Sequence, residues 1–148
     1  MPSKAFMRLA IERAREGMAQ GQWPYGACLV KEGEVIACVH NVNRATMDPT
    51  AHAEIQALRE GCVTLKNLDL TGCEIYSTCE PCPMCFTACH HAKVSIVVYG
   101  ASLEDSPHAG RRGRMISSSQ MKELLDSPIR LIGGFLRDEA IQLFKISM

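Results

Sequence analysis

Cys79-Glu80-Pro81-Cys82-Pro83-Met84-Cys85 decides the reading of this chain. Cys82 and Cys85 stand three positions apart at the start of an expected helix, and i and i+3 share a helix face. Pro83 suits the first turn, where its missing N–H has no partner to lose. The positive end of the helix favours thiolate over thiol. A C-x-x-C pair alone fits a redox dithiol, half of a structural zinc site or part of an iron–sulfur cradle. A second segment, Asp48-Pro49-Thr50-Ala51-His52-Ala53-Glu54, adds an imidazole and a carboxylate at another expected helix start.

His52, Cys82 and Cys85 make three ligands and leave one tetrahedral position open, the pattern of a catalytic zinc site. Soft sulfur ligation suits zinc over magnesium or a lone iron. Glu54 is then a candidate proton shuttle. Residues i and i+2 diverge by about 200° on a helix, so His52 and Glu54 converge only near a helix end. The rival set Cys79, Cys82, Cys85 and Cys89 has an iron–sulfur spacing, but the segment reads as helical and no proline follows Cys89.

The chain has 148 residues, 47 % hydrophobic and 22 % charged, with zero formal net charge and a pI near 6.9. That suits one globular domain over 1–148 and calls for neither nucleic acid nor an anionic membrane. No apolar run approaches the roughly 18 residues of a spanning helix. Charges at Lys4, Arg8, Glu12 and Arg13 break any signal-peptide core, so an intracellular, cytoplasmic protein is expected. The scattered Cys28, Cys38, Cys62 and Cys73 read as small buried apolar residues, and His40 as structural.

Periodicity predicts a helix from Ser3 to near Gly21, with Met7, Ile11, Ala14 and Met18 on one face. Tyr25 to Val30 and Glu34 to His40 read as a hairpin about Lys31-Glu32-Gly33. Asn41 to Thr46 reads as loop. A helix capped by Asp48 or Thr50 is expected to stop near Gly61. Strands follow at Cys73–Thr78 and Val94–Tyr99, then a long loop from Ala101 to Ser118. A short helix at Met121–Leu125, a strand at Ile129–Ile132 and a C-terminal amphipathic helix from Leu136 complete the chain. This order predicts a three-layer α/β/α domain with a five-stranded mixed sheet.

His52-Ala53-Glu54 with Pro81-Cys82-Pro83-Met84-Cys85 resembles the H-x-E…P-C-x-x-C signature of the zinc-dependent cytidine and nucleobase deaminases. The similarity runs from about residue 5 to the end of the chain. It implies one zinc on His52, Cys82 and Cys85, with Glu54 moving protons without binding metal. It also implies a hydrolase that releases ammonia from a cyclic amidine, and a homodimer.

Within that family, Asp48–Glu54 and Cys79–Cys85 are similar to bacterial guanine deaminases, and the tRNA adenosine deaminases share the former. The Tyr99–Gly110 loop resembles the guanine enzymes in length and puts Asp105 at an acidic active-site position. Gly134–Ala140 and His91-Ala-Lys93 resemble the tRNA enzymes, and no aromatic tail of the kind that closes a guanine pocket precedes Met148. Gly26–Leu29 and His40-Asn41 fit cytosine deaminases loosely. The resemblance makes Asn41 a base contact; Tyr25, before a close-packed Gly26, reads as a pocket wall, Ala53 as a substrate-binding position, and His91, two turns beyond Cys85, as either a base-stacking or a structural residue. The expected substrate is a guanine-like free base, with a tRNA adenosine as the alternative and cytosine as the second. Arg111, Arg112 and Arg114 with His108 form the basic run, read as solvated because aromatic residues are only 5 % of the chain.

Overall fold

The computed structural model describes residues 2–107 and 115–146. The basic run from His108 to Arg114 lies outside them. The elements in order are α1 (Lys4–Ala19), β1 (Gly26–Lys31), β2 (Glu34–His40), α2 (Asn43–Thr46), α3 (Ala53–Leu65), β3 (Cys73–Cys79), α4 (Pro83–His91), β4 (Ile96–Ala101), a 3-10 turn (Leu103–Asp105), α5 (Ser118–Leu124), β5 (Arg130–Ile132) and α6 (Arg137–Ile146).

The five strands form one sheet in the order β2-β1-β3-β4-β5. β1 runs antiparallel to β2 and β3, while β3, β4 and β5 run parallel. Glu32 (φ 51°) and Gly33 (φ 79°) turn the β1–β2 hairpin, as a primed two-residue turn requires. Ala27 and Leu29, Ile75 and Val97 face a cluster with Ala57 and Leu58 of α3 and Phe86 and Cys89 of α4. Cys28 and Val30, Tyr76 and Val98 face the other side, against Met7, Ala10, Ile11 and Ala14 of α1 and Ala140 and Leu143 of α6. The period-2 alternation thus feeds two cores, giving the expected α/β/α layers. Among the described residues no helix is long and apolar enough to cross a membrane.

Several boundaries differ from the sequence reading. Asn41–Thr46 is not all loop, because Asn43–Thr46 closes one helical turn. Helix α3 is capped by His52, not by Asp48 or Thr50. Asp48 instead accepts the Thr50 N–H at 2.8 Å, a local Asx turn that competes with helix entry. Gly61 does not stop α3; a Cβ there would run into Leu29 Cδ2, and the helix ends at Lys66 in the left-handed region. The Val94 N–H closes the α4 turn onto Cys89 O at 3.1 Å, so β4 pairing starts at Ile96. Helix α5 starts at Ser118, because Ser117 and Gln120 form a capping box.

The register brings functional positions to one end of the sheet. Gly26 at the start of β1 pairs with His40 at the end of β2, and Cys79 ending β3 pairs with Ala101 ending β4. Tyr25, just before antiparallel β1, therefore emerges together with Asn41, Glu80 and Ser102, which follow the carboxyl ends of β2, β3 and β4, the end where α/β sheets place their ligands. Gly26 lets α1 lie on this end: a Cβ would strike the Ala10 carbonyl oxygen and stand 2.9 Å from Ala14 N. Both obstacles are backbone and cannot rotate away. Gly26→Ala should cost about 3 kcal/mol, the upper end of overpacking, read as a lower urea midpoint. A midpoint at the wild-type value would show that α1 is not held this closely.

Candidate metal centre and active site

His52 and Cys82 are both N-cap residues, with extended backbones (φ −66°, ψ 160° and φ −67°, ψ 168°). Pro83 occupies the first position of α4 and Cys85 lies one turn in, as the spacing predicts. Because His52 sits before the helix, the i, i+2 divergence from Glu54 does not arise. The Nδ1 of His52 lies 3.4 Å from Cys85 Sγ and 3.7 Å from Cys82 Sγ. A tetrahedral ion with Zn–S of about 2.3 Å and Zn–N of about 2.0–2.1 Å sets sulfur and nitrogen about 3.5 Å apart. All three donor atoms lie within 4.8 Å of one another, so the residues fit zinc.

The electrostatics agree with that fit. The hydrogen bond from Cys85 pulls the Cys82 thiol down to about 4, with the His52 bond helping against desolvation. Donating that proton raises Cys85. Cys82 and Cys85 would hold an ion as thiolates, so its binding would release the remaining thiol proton. Glu54 is 6 % exposed. Burial first, then the Cys82 charge, pushes its carboxyl up to about 7. The iron–sulfur rival is not assembled: Cys79 Sγ points to Ser102 O at 3.7 Å, and Cys89 is fully buried in the apolar cluster.

The other expected site residues fall into two groups. Asn41 is 2 % exposed, and its Oδ1 accepts the Asn43 N–H at 3.2 Å. Tyr25 bonds Ser106 Oγ at 2.6 Å and meets the Phe144 ring edge-on at 6.0 Å. Ala53 opens α3 and is fully buried. These stand at the sheet end with the metal ligands. His91 ends α4 and is exposed, roughly 9 Å of axial rise beyond Cys85, and is not brought to the ligands. Cys28 and Cys73 are fully buried, Cys38 and Cys62 partly so. His40 is partly buried and bonds Asn41 O through Nδ1 at 2.8 Å.

Asp105 is engaged on both oxygens. Arg137 of α6 donates to them at 2.9 and 2.7 Å, and the Ser102 N–H donates to Oδ2 at 2.9 Å. The Arg137 bond holds its carboxyl down to about 2. Sequence reasoning missed Arg137, which lies in a stretch noticed only for its resemblance, and missed Glu80, whose signal was an acid set between a strand end and a ligand cysteine. A carboxyl with a folded-state pKa below its unfolded value of about 3.9 stabilises the fold above that value and loses the effect as pH falls toward 2. Arg137→Met should therefore lower Tm at pH 7 by about 1–4 °C, as a partly exposed pair allows. The gap to wild type should close between about pH 4 and 2. A gap constant across that range would show that the pair contributes nothing.

A family model for the cytidine and deoxycytidylate deaminase zinc-binding region matches residues 2–101. The chain is 40 % identical over 110 residues to a tRNA-specific adenosine deaminase of Aquifex aeolicus, covering 74 % of this chain and 72 % of that one. It is equally 40 % identical over 111 residues to a guanine deaminase of Bacillus subtilis, covering 74 % and 71 %. A solved structure of NE0047 in complex with 2,6-diaminopurine superposes with a TM-score of 0.87 at 30 % identity, covering 97 % of this chain and 79 % of that one. The fold, the match and the assembled donors agree: the chain belongs to the cytidine and deoxycytidylate deaminase family of zinc-dependent hydrolases.

Proposed function

We propose that the protein hydrolyses the exocyclic amino group of a free aminated purine, guanine-like, and releases ammonia. The observation that carries the chemistry is the buried Glu54 carboxyl beside three donors spaced for one zinc. The purine assignment is supported by the similarity to a structure holding 2,6-diaminopurine, itself a free aminated purine. A homodimer and a cytoplasmic setting belong to the same reading.

His52, Cys82 and Cys85 would hold the ion, their imidazole and two thiolates balancing its charge. When bound, zinc supplies the Lewis acidity that makes water nucleophilic near neutral pH. The remaining work is proton transfer, and Glu54 does it. Water oxygen joins the ring carbon that carries the amino group, and Glu54 receives the proton released. It passes that proton to the ring nitrogen. The hydroxyl now on the ring carbon gives up the second proton, Glu54 carries it to the amino nitrogen, the C–N bond breaks as the carbonyl forms, and ammonia leaves in place of an amide anion. Asn41 offers its amide to the base edge, Tyr25 forms a wall steadied by Ser106, and Ala53 keeps the floor small. His91 is left outside the pocket in this reading.

A second reading, a tRNA adenosine as substrate, is favoured by one observation. Asp105, the acid that pointed to guanine, is occupied by Arg137. A panel of free bases, nucleosides and a tRNA anticodon stem-loop, scored for ammonia, separates the two. Turnover of free guanine or a related base is expected; turnover of the stem-loop alone would overturn the purine-base reading. Glu54→Ala should keep about one zinc per chain by elemental analysis, since Glu54 is not a ligand. Its turnover should fall roughly 100- to 10,000-fold, the scale of placed proton transfer. Loss of zinc, or turnover above a tenth of wild type, would refute the roles assigned.

A further inference from the structure

The peptide that delivers Cys82 carries buried hydrogen bonds that neither metal ligation nor proton transfer uses. The Glu80 N–H prolongs the β3–β4 pairing by donating to Ala101 O at 2.7 Å. The Glu80 side chain is 7 % exposed. Its Oε1 accepts the Leu103 N–H at 3.1 Å, and its Oε2 accepts the Ser118 N–H at 2.7 Å. The next carbonyl, Pro81 O, accepts Ser118 Oγ at 3.0 Å, and Ser118 is fully buried.

Glu80 thus joins three strands of chain. One leads from β3 into the ligand turn, one leaves β4, and one enters α5. The site needs two acceptors about one carboxyl width apart and no donor, which suits a carboxylate. An amide would turn an N–H₂ against one of the two backbone N–H groups. Leu103 and Ser118 are themselves placed by capping boxes, Ser102 with Asp105 and Ser117 with Gln120. The carboxylate is therefore held by pre-set donors and in turn holds the residues two positions on.

Resting on the zinc reading of the site, we propose that Glu80 is a positioning residue for the metal centre. It acts through Cys82, holding that ligand at the start of α4 in the extended backbone that lets its sulfur meet Cys85 and His52. The same carboxylate ties the ligand turn to the Ser102–Ser106 stretch, which bonds Tyr25 through Ser106. Partners that orient metal ligands in this way are typically worth 10- to 100-fold in metal affinity.

The test compares wild type, Glu80→Gln and Glu80→Ala in the full chain, first loaded with zinc and then with cobalt. Zinc transfer to a chelating dye and the visible absorption of the cobalt protein are the readouts. Glu80→Gln keeps shape and one acceptor, and should release zinc roughly 10- to 100-fold faster with shifted cobalt bands. If Glu80→Ala does not fold, Glu80→Gln still decides. A folded Glu80→Gln with a lower Tm but wild-type release and cobalt bands would overturn the proposal, leaving Glu80 a structural brace. Arg8→Met breaks the exposed Arg8–Glu139 pair, which involves neither Glu80 nor its donors, and should release zinc as wild type does. Equal acceleration in Arg8→Met would also overturn the proposal, since general loosening would then suffice. A wild-type protein that takes up neither zinc nor cobalt would overturn the zinc reading itself, a separate and visible failure.

Discussion

One imidazole and two thiols from the starts of two different helices meet within 4.8 Å at one end of the sheet, and the rest of the fold can be understood as what holds them there. His52 and Cys82 each precede a helix instead of lying within it. An N-cap side chain folds over the helix end, so two such residues can face each other across the gap between helix starts. That arrangement requires α3 and α4 to begin at the same sheet end and to pack on the same face. Small residues allow it: Ala53 and Ala57 of α3 share one cluster with Phe86 and Cys89 of α4. Both positive helix ends then point at a site that collects thiolates, which lowers the cost of gathering negative charge in a buried place.

The ligands were legible because their chemistry and spacing are local. Cys82, Pro83 and Cys85 read directly as the first turn of a helix, and the structure puts Pro83 at its first position. The start of α3 was not legible to the residue. Asp48 and Thr50 look like caps, yet Asp48 spends its side chain on the Thr50 amide and hydroxyl. The apparent misfit between His52 and Glu54 followed from assuming that helical geometry already applied at His52. Gly61 misled for a related reason: its role is contact with Leu29 across the layer, a tertiary demand that no window along the chain displays. Glu80 was hidden in the same way, because both its donors come from far along the sequence.

Residues on the rim of the site obey a different logic from those at its centre. Two of them, Asp105 and Tyr25, are held by the C-terminal helix. Arg137 grips Asp105, and Phe144 meets the Tyr25 ring. The centre is built from β3, α3 and α4, whereas the rim depends on α6 and on the segment that follows β4. Changes in those later parts can reshape what enters without moving a ligand. The chain is equally identical to an enzyme named for a tRNA adenosine and to one named for guanine. The family model spans residues 2–101, which hold the three metal donors and Glu54. Asp105 already has Arg137 donors on both oxygens, so recruiting it to a base, as the guanine-like reading would ask, requires breaking a two-pronged, charge-assisted contact. A substrate that replaced those bonds with its own ring N–H donors could offset that cost. One that met the rim only through a sugar and phosphates would leave the pair intact.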